Sequence, residues 1–238
     1  MRVLILAAGQ SQRFKELGFN IPKPFLPIGW RGHVATMLEH VINTVPEQYG
    51  DITIAISEDC VSRLRKLELM YSYVAVPKTN GPAHTALEAM RTFKEATSTM
   101  ILDVDVLNTT NDLWLLGQIT SPAVLVREST NPLSSYVDKA GEFNEIAEKQ
   151  RISKFAVQGA YYVPKAGFPQ FLSRLEEAMQ KTQEPYLSHA LHLYQGKKFA
   201  VQVKYTPIEW GSPRDIRISG AHIMKEDHNA RDRSKKRT

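Results

Sequence analysis

Strand-like runs alternate with segments of helical period along most of this chain, and this alternation restricts the possible fold more than any other feature. Residues 3–7 form an apolar run of strand length, and Ile52, Ile54 and Ile56 alternate as a second strand. Between them, apolar residues recur at helical spacing over residues 34–45. This order is typical of a mostly parallel sheet covered by helices. We therefore predict an α/β fold with a mostly parallel, twisted sheet flanked by helices.

The second half of the chain continues the pattern and then changes character. Gly81-Pro82 marks the start of another helix, because proline suits the first helical turn, and residues 100–103 form the next predicted strand. Residues 123–163 contain shorter strand-like runs joined by turns, which predicts a small mixed or antiparallel extension of the sheet. Two helices and a last strand are predicted after it, within residues 168–205.

Length and composition exclude several classes of protein. The chain has 238 residues, of which 42% are apolar and 23% charged, so disordered and collagen-like chains are excluded. No stretch approaches the roughly 20 apolar residues that span a bilayer, so membrane insertion is not expected. The single cysteine, Cys60, forms no internal disulfide, and the chain opens on a strand-like run without a leader-like segment. Together these features favour the cytoplasm.

Much of the excess positive charge lies near the C-terminal end. Thirty Lys and Arg residues against 25 Asp and Glu residues give a net charge of +5, and much of the excess lies in residues 221–238. We therefore predict a single domain over residues 1–220, followed by a flexible basic tail over residues 221–238. Because the predicted domain is nearly neutral, a nucleic-acid partner is not expected, whereas oligomer formation is left open.

The first predicted strand runs into small residues and then into a polar loop, LILAAGQSQRFKELGFNIPKPFLPI. Ala7, Ala8 and Gly9 allow a ligand to approach the backbone, and the N–H groups that follow can form an anion-binding nest. Arg13 and Lys23 add charge that can neutralise a polyphosphate. Taken alone, the same pattern also fits an ordinary strand-to-loop turn with surface cations.

This stretch resembles the signature of the sugar-1-phosphate nucleotidyltransferase family, an LAAG-x-x-x-R segment followed by PKP, and it is similar to the small cytidylyltransferases. The resemblance covers the chain to about residue 216. It implies a Rossmann-like, GT-A-like fold and catalytic roles for Arg13 and Lys23 on the phosphates of a bound nucleoside triphosphate. The implied nucleotide-binding residues are Leu6, Ala7, Ala8, Gly9, Gln10, Ser11, Gln12, Arg13, Lys23, Gly81, Pro82 and Ala83.

Two acidic segments resemble the metal-binding parts of the same family. ILDVDVL is similar to its acidic turn, which makes Asp105 the implied magnesium ligand, with Asp103 as a possible helper. EWGSPRDI resembles the segment that carries the second metal-binding acid, here Glu209. Nucleotidyl transfer needs carboxylates from distant parts of the chain to hold Mg²⁺. A lone acid at a strand end is more often a cap or a solvated group, but beside the nucleotide loop we favour Mg²⁺ as the cofactor.

The resemblance also implies an acceptor site. EIAEKQ places Glu148 and Lys149 where the family contacts the acceptor, GAYYV begins at the corresponding Gly159, and Trp210 beside Glu209 is a candidate wall of this site. The implied reaction transfers a nucleoside monophosphate to a sugar 1-phosphate with release of pyrophosphate, a step of nucleotide-sugar biosynthesis.

Departures from the family pattern leave the nucleobase and the acceptor open. The positions that differ from the family are Gln10, Gln12, Pro82, Val104 and Gln150. Two alternatives therefore stand beside the main interpretation. One is cytidylyl transfer to a non-sugar phosphate such as phosphocholine or an alditol phosphate. The other is a catalytically silent nucleotide-binding subunit.

Overall fold

The computed structural model describes residues 1–203 and 205–224. Within these residues the β-strands are β1 (Arg2–Leu6), β2 (Pro27–Trp30), β3 (His33–Thr36), β4 (Asp51–Ser57), β5 (Ser72–Val76), β6 (Thr99–Asp103), β7 (Val106–Leu107), β8 (Ala123–Glu128), β9 (Tyr136–Val137), β10 (Gly141–Phe143), β11 (Ile146–Ala147), β12 (Phe155–Val163), β13 (Lys198–Gln202), β14 (Ile208–Glu209) and β15 (His222–Ile223). The α-helices are α1 (Gln12–Lys15), α2 (Met37–Ile42), α3 (Val61–Arg65), α4 (Pro82–Arg91), α5 (Thr110–Leu116), α6 (Phe168–Lys181), α7 (Leu187–Leu193) and α8 (Pro213–Ile218).

The main sheet has the strand order β10-β13-β8-β12-β6-β1-β4-β5. Strand β1 pairs in parallel with β4 and β6, and β5 and β13 pair in parallel with β4 and β8. Strand β12 runs antiparallel between β6 and β8. The prediction of an α/β fold with a mostly parallel sheet is therefore confirmed.

Both faces of the sheet are covered, as the apolar character of β1 requires. Val3 and Ile5 belong to one buried cluster, whereas Leu4 and Leu6 belong to a second cluster on the opposite face. Successive strand residues point to opposite faces, so a run that is apolar at every position needs cover on both sides. This continuous burial fixes β1 at the centre of the sheet.

Helices α4, α6 and α7 pack together over one face of the sheet. Phe171, Leu175 and Ala178 recur at helical spacing on α6, and all three are buried in the cluster that contains Ala86 and Leu87 of α4. Among the described residues, no helix combines the length and the apolar composition needed to cross a membrane.

The predicted helix over residues 34–45 begins later than expected. His33–Thr36 form β3, which pairs with β2 as a hairpin, and Val34 is 54% exposed. Helix α2 starts after Thr36, whose side-chain oxygen accepts a hydrogen bond from the N–H of Glu39, while the Glu39 carboxylate accepts one from the N–H of Thr36. The prediction was wrong for residues 34–36 because Val34 matches the helical spacing without belonging to the core.

Two further boundaries differ from the sequence-based expectation. Within residues 123–163, β8, β10 and β12 enter the main sheet, and β9 and β11 form a small antiparallel addition beside β12. The predicted tail also begins too early, because β15 pairs with β2 and Ala221 is buried. The rest of the predicted tail, residues 225–238, lies outside the described residues.

Candidate active site

A cleft of about 650 Å³ opens where β1 and β6 end. In α/β sheets, ligands commonly bind outside the carboxyl ends of parallel strands. Thirteen of the residues predicted from the sequence line this cleft: Leu6, Ala8, Gly9, Gln10, Ser11, Gln12, Arg13, Lys23, Gly81, Pro82, Asp103, Asp105 and Lys149. The structure thus brings the predicted nucleotide loop, two of the predicted acids and one predicted acceptor residue to a single place.

The other predicted residues lie outside the lining of the cleft. Ala7 and Ala83 are buried in the two apolar clusters behind it. The prediction that Trp210 walls an acceptor site was wrong, because its side chain has 0% exposure in the core and its indole N–H donates to Ser219 Oγ. Bulky apolar side chains beside a polar site are often packing anchors, and Trp210 has this role.

The loop after β1 is held in shape by one side chain. Ser11 has the left-handed backbone φ of 57°, and its hydroxyl oxygen accepts a hydrogen bond from the backbone N–H of Lys23 at 2.7 Å. A left-handed non-glycine residue is uncommon and persists where the surroundings fix it. The bond between Ser11 and Lys23 joins the small-residue loop to the PKP segment and so positions Lys23 over the cleft.

Lys23 and Asp105 form an ion pair within the cleft. The distance between Lys23 Nζ and Asp105 Oδ2 is 2.7 Å, and the side chains are only 18% and 22% exposed. Burial acts to raise the pKa of Asp105, but the charge of Lys23, its hydrogen bond and the charge of Arg13 outweigh this, so the pKa lies below its usual value. Asp105 is therefore ionised.

Gly211 lies next to the charged groups around Asp105, at ordinary contact distance from them. A Cβ atom built on Gly211 would lie 3.4 Å from Asp105 Oδ2, 3.6 Å from Arg13 Nη1 and 3.6 Å from Asp215 Oδ2. The backbone N–H of Trp210 donates to the carbonyl of Asp105 at 2.7 Å, which aligns this segment with β7. Sequence reasoning quoted the segment EWGSPRDI for its acid, but it missed this glycine.

Asp103 is the second carboxylate in the cleft. Burial and the nearby charge of Asp105 raise the pKa of Asp103 to about 7, although the charge of Lys23 acts in the opposite direction. Two carboxylates that line one cleft fit Mg²⁺, which takes oxygen ligands and usually binds one or two carboxylates together with substrate phosphates. In residues 1–203 and 205–224, no group of three or more His, Cys, Asp and Glu side chains is placed to hold a metal ion.

Glu209 lies beside the Asp105 segment in the fold, because β14 pairs Glu209 with Val106 of β7. Its carboxylate accepts a hydrogen bond from Arg127 Nη2 at 2.5 Å, and it lies outside the lining of the cleft. The predicted pairing of Asp105 with Glu209 around one metal ion stays a prediction. Arg127 is a residue that sequence reasoning missed, and its signal is a cation that directly follows the apolar run AVLV of strand β8.

A cluster of polar side chains lies on the acceptor side predicted from the sequence. Lys149 Nζ donates to Tyr186 Oη at 2.8 Å and to Glu184 Oε2 at 3.2 Å. The hydrogen bond from Tyr186 lowers the pKa of Glu184, and Lys149 adds to this effect. The carboxylate of Glu148, which lies outside the cleft lining, accepts hydrogen bonds from the hydroxyls of Ser135 and Ser188.

Several lining residues were missed because they lie in segments with no local signal. Tyr161, Glu184 and Tyr186 line the cleft, and burial raises the pKa of the Tyr161 phenol well above its usual value. Tyr161 belongs to the GAYYV segment quoted for its glycine, whereas Glu184 and Tyr186 precede α7, which begins at Leu187. Gly159 lies outside the lining, but a Cβ built on it would come within 2.9 Å of Asp103 Oδ2.

The start of α4 forms the opposite wall of the cleft. Gln10 Nε2 donates to the carbonyl of Thr79 at 3.5 Å, which joins the first loop to this wall. The N–H of Ala83 donates to the carbonyl of Pro185 at 3.0 Å. A Cβ built on Gly81 would approach that same carbonyl oxygen to 2.7 Å. The absence of a side chain at Gly81 therefore lets the segment before α7 lie directly against α4.

The fold is shared with several solved nucleotidyltransferases. A nucleoside-diphosphate-sugar pyrophosphorylase from Vibrio cholerae RC9 aligns with a TM-score of 0.74 at 17% identity, over 92% of this chain and 99% of that chain. A UDP-glucose pyrophosphorylase complexed with UDP-glucose gives 0.72 at 18%, over 92% and 97%. The inositol-1-phosphate CTP transferase from T. maritima gives 0.75 at 16%, over 92% and 93%. At identities of 16–18%, this similarity shows that the chain shares the fold of these proteins.

The sequence itself gives the family. Residues 3–151 match the model of the MobA-like NTP transferase domain, which is more than half of the chain. The chain therefore belongs to the MobA-like NTP transferase family, as its resemblance to nucleotidyltransferases implied. Comparison with curated protein sequences gives no match.

Proposed function

We propose that this chain transfers a nucleoside monophosphate from a nucleoside triphosphate to a sugar 1-phosphate, releasing pyrophosphate and giving a nucleoside diphosphate sugar. The main observation behind the proposal is that Arg13, Lys23 and Asp105 line one cleft. Lys23 and Asp105 form an ion pair there even though they lie 82 residues apart in sequence. Membership of the NTP transferase family supports nucleotidyl transfer. Two structural neighbours, both pyrophosphorylases of nucleotide sugars, support the acceptor class.

In the proposed reaction, a phosphate oxygen of the acceptor attacks the α-phosphorus of the triphosphate and forms a new P–O bond. The bond between the α-phosphorus and the oxygen bridging to the β-phosphate breaks, and pyrophosphate leaves with that electron pair. Arg13 and Lys23 neutralise the triphosphate and the negative charge that grows on the leaving group. The side chains position the reactants and stabilise charge, so no covalent enzyme intermediate is needed.

Mg²⁺, when bound, supplies a Lewis acid that neutralises phosphate charge. Asp105 and Asp103 offer the carboxylate oxygens for it, since both line the cleft. On the acceptor side, the ammonium of Lys149 is placed to meet the acceptor phosphate. We assign Glu148 no contact with the acceptor, because its carboxylate lies outside the cleft lining and accepts hydrogen bonds from the hydroxyls of Ser135 and Ser188.

A second candidate is cytidylyl transfer to the phosphate of a non-sugar alcohol. The observation that favours it is the similarity to an inositol-1-phosphate CTP transferase, whose TM-score of 0.75 is as high as those of the sugar enzymes. A third possibility, a silent nucleotide-binding subunit, requires nucleotide binding without turnover. These three functions differ in products that can be measured directly.

The test is a pyrophosphate-release assay with Mg²⁺. Each common nucleoside triphosphate is offered with a panel of sugar 1-phosphates, inositol 1-phosphate, alditol phosphates and phosphocholine. We expect release that requires one nucleotide and a sugar 1-phosphate. Release that requires CTP and a non-sugar phosphate would establish the second candidate instead. Nucleotide binding detected by calorimetry without release in any pair would refute the transfer reaction.

A further inference from the structure

We propose that the acceptor of this reaction carries no negative charge besides its phosphate, and that Glu184 enforces this selection. The inference rests on the proposed nucleotidyl transfer, because it concerns the acceptor that this reaction would use. It is drawn from the way in which charged side chains are distributed around the cleft.

The cations of the cleft fall into two groups. Among the described residues that line it, Arg13, Lys23 and Lys149 are the only cations. Lys23 pairs with Asp105 at 2.7 Å, and the charge of Arg13 acts on the same carboxylate. Lys149 pairs instead with Glu184, at 3.2 Å. Since we assign Arg13 and Lys23 to the triphosphate, Lys149 is left for the acceptor.

The charge of Lys149 is already compensated. Its Nζ donates to Glu184 Oε2 and to Tyr186 Oη, and the Tyr186 hydroxyl donates to Glu184 Oε1 at 2.7 Å. The hydrogen bond from Tyr186 lowers the pKa of Glu184, and the charge of Arg13 adds less than Lys149 does, so this carboxylate is ionised. One ammonium with such a neighbour meets one phosphate, and no positive charge remains for a second anionic group.

More negative charge lies behind this part of the cleft. The carboxylate of Glu148 has two serine hydroxyls as partners and no cation among its described hydrogen bonds and ion pairs. Its charge contributes to the raised pKa values of Asp103 and Tyr161, so its effect reaches the lining. Burial lowers the pKa of nearby His189, so this imidazole adds no positive charge near neutral pH. An acceptor carboxylate would therefore meet like charges, which is unfavourable.

The uncharged groups at this place suit hydroxyls. Tyr161, Gln183 and Tyr186 line the cleft beside Glu184. Tyrosine rings pack against an apolar face and bind a polar group at their tip, and amides bind hydroxyls. The Glu184 side chain is 59% exposed, so its carboxylate is accessible to a hydroxyl of the acceptor. The site thus fits an acceptor that is polar but carries its negative charge on the phosphate alone.

The test compares two acceptors of nearly the same shape that differ in one charge, glucuronic acid 1-phosphate and glucuronamide 1-phosphate. The kcat/KM for each is measured from pyrophosphate release by the full chain, with Mg²⁺ and the nucleotide that supports release. We expect the wild-type chain to prefer the amide at least about ten-fold, and Glu184→Gln to reduce this preference to about three-fold or less. Because the ratio is read, any effect of Glu184 on the shared phosphate cancels.

Two variants serve as controls. Glu184→Asp keeps the charge and should keep most of the preference. Glu47→Gln removes an exposed carboxylate outside the cleft and should leave the preference unchanged. A merely structural role of Glu184 would change the Tm or lower kcat for both acceptors, and the ratio would stay as in the wild type.

Three results would overturn the inference: a wild-type ratio within about two-fold, a preference for the anionic acceptor, or an unchanged ratio in folded Glu184→Gln. Failure of the proposed function looks different, since no nucleotide and acceptor pair then releases pyrophosphate. If neither of the two acceptors is turned over, their Kd values for the full chain are measured by calorimetry. Equal Kd values, or absence of binding by both, would then overturn the inference.

Discussion

Replacing Lys23 by Met removes the ammonium that meets Asp105 and keeps most of the length of the side chain. The Nζ–Oδ2 distance is 2.7 Å, and the two side chains are only 18% and 22% exposed. Breaking a buried ion pair costs about 3–5 kcal/mol, because one charge stays unpaired. About a fifth of each side chain is exposed and Arg13 also acts on Asp105, so we expect about 2–3 kcal/mol here.

For a chain of this size, that loss lowers the Tm by about 4–12 °C, which circular dichroism measures directly. We expect a larger effect on turnover, because in the proposed reaction the ammonium stabilises charge on the leaving pyrophosphate. We expect Lys23→Met to lower kcat about 10²- to 10³-fold at saturating substrates, measured well below the Tm of the variant. Lys15→Met, which removes an exposed cation outside the cleft, is the matched control.

A double variant separates the two effects. Lys23→Met combined with Asp105→Asn removes both charges of the pair, so it should recover much of the lost Tm and none of the lost turnover. A folded Lys23→Met variant whose kcat stays within about ten-fold of wild type would refute the catalytic role of this residue. An unchanged Tm would show that the ion pair contributes nothing to stability.

Two further substitutions test other parts of the cleft. Gly159→Ala should lower the free energy of unfolding in urea by about 2–4 kcal/mol, because φ is +56° and the new Cβ would lie 2.8 Å from Val106 Cγ2. Gly141→Ala has φ of +83° with no atom within 4 Å, so a loss at Gly159 no larger than at this control would contradict the packing argument. Lys149→Met should raise the KM for the acceptor about ten-fold with little change in Tm, since its ion pair is exposed. An unchanged KM would remove Lys149 from the acceptor site.

The fold was predictable where periodicity and burial agree. Strand β1 is apolar from Val3 to Leu6 because both faces of the sheet are covered, and α4 begins after Gly81, at Pro82, as the proline indicates. The β2–β3 hairpin was missed because Val34 fits a helical spacing while lying exposed on a strand. A periodic pattern does not reveal which apolar residues are left outside the core.

The cleft was predictable to the extent that its residues are contiguous in sequence. The loop from Ala8 to Arg13 gives a local signal, because small residues and a cation follow an apolar strand. The ion pair between Arg127 and Glu209 has no such signal, since it depends on how the short strand β14 pairs with β7 beside β8 and β12. Trp210, adjacent to Glu209 in sequence, points into the core for the same reason.

The hydrogen bond from the N–H of Ala83 to the carbonyl of Pro185 joins the start of α4 to the segment before α7, so a shift of one is expected to move the other. The first turn of α4 borders the predicted nucleotide end, and the segment before α7 carries the groups that meet Lys149. Grafting a different sequence onto residues 182–187 to change the acceptor would move the carbonyl against which Gly81 packs. If the proposed function holds, we expect a laboratory selection for a new acceptor to bring changes in nucleotide preference as well.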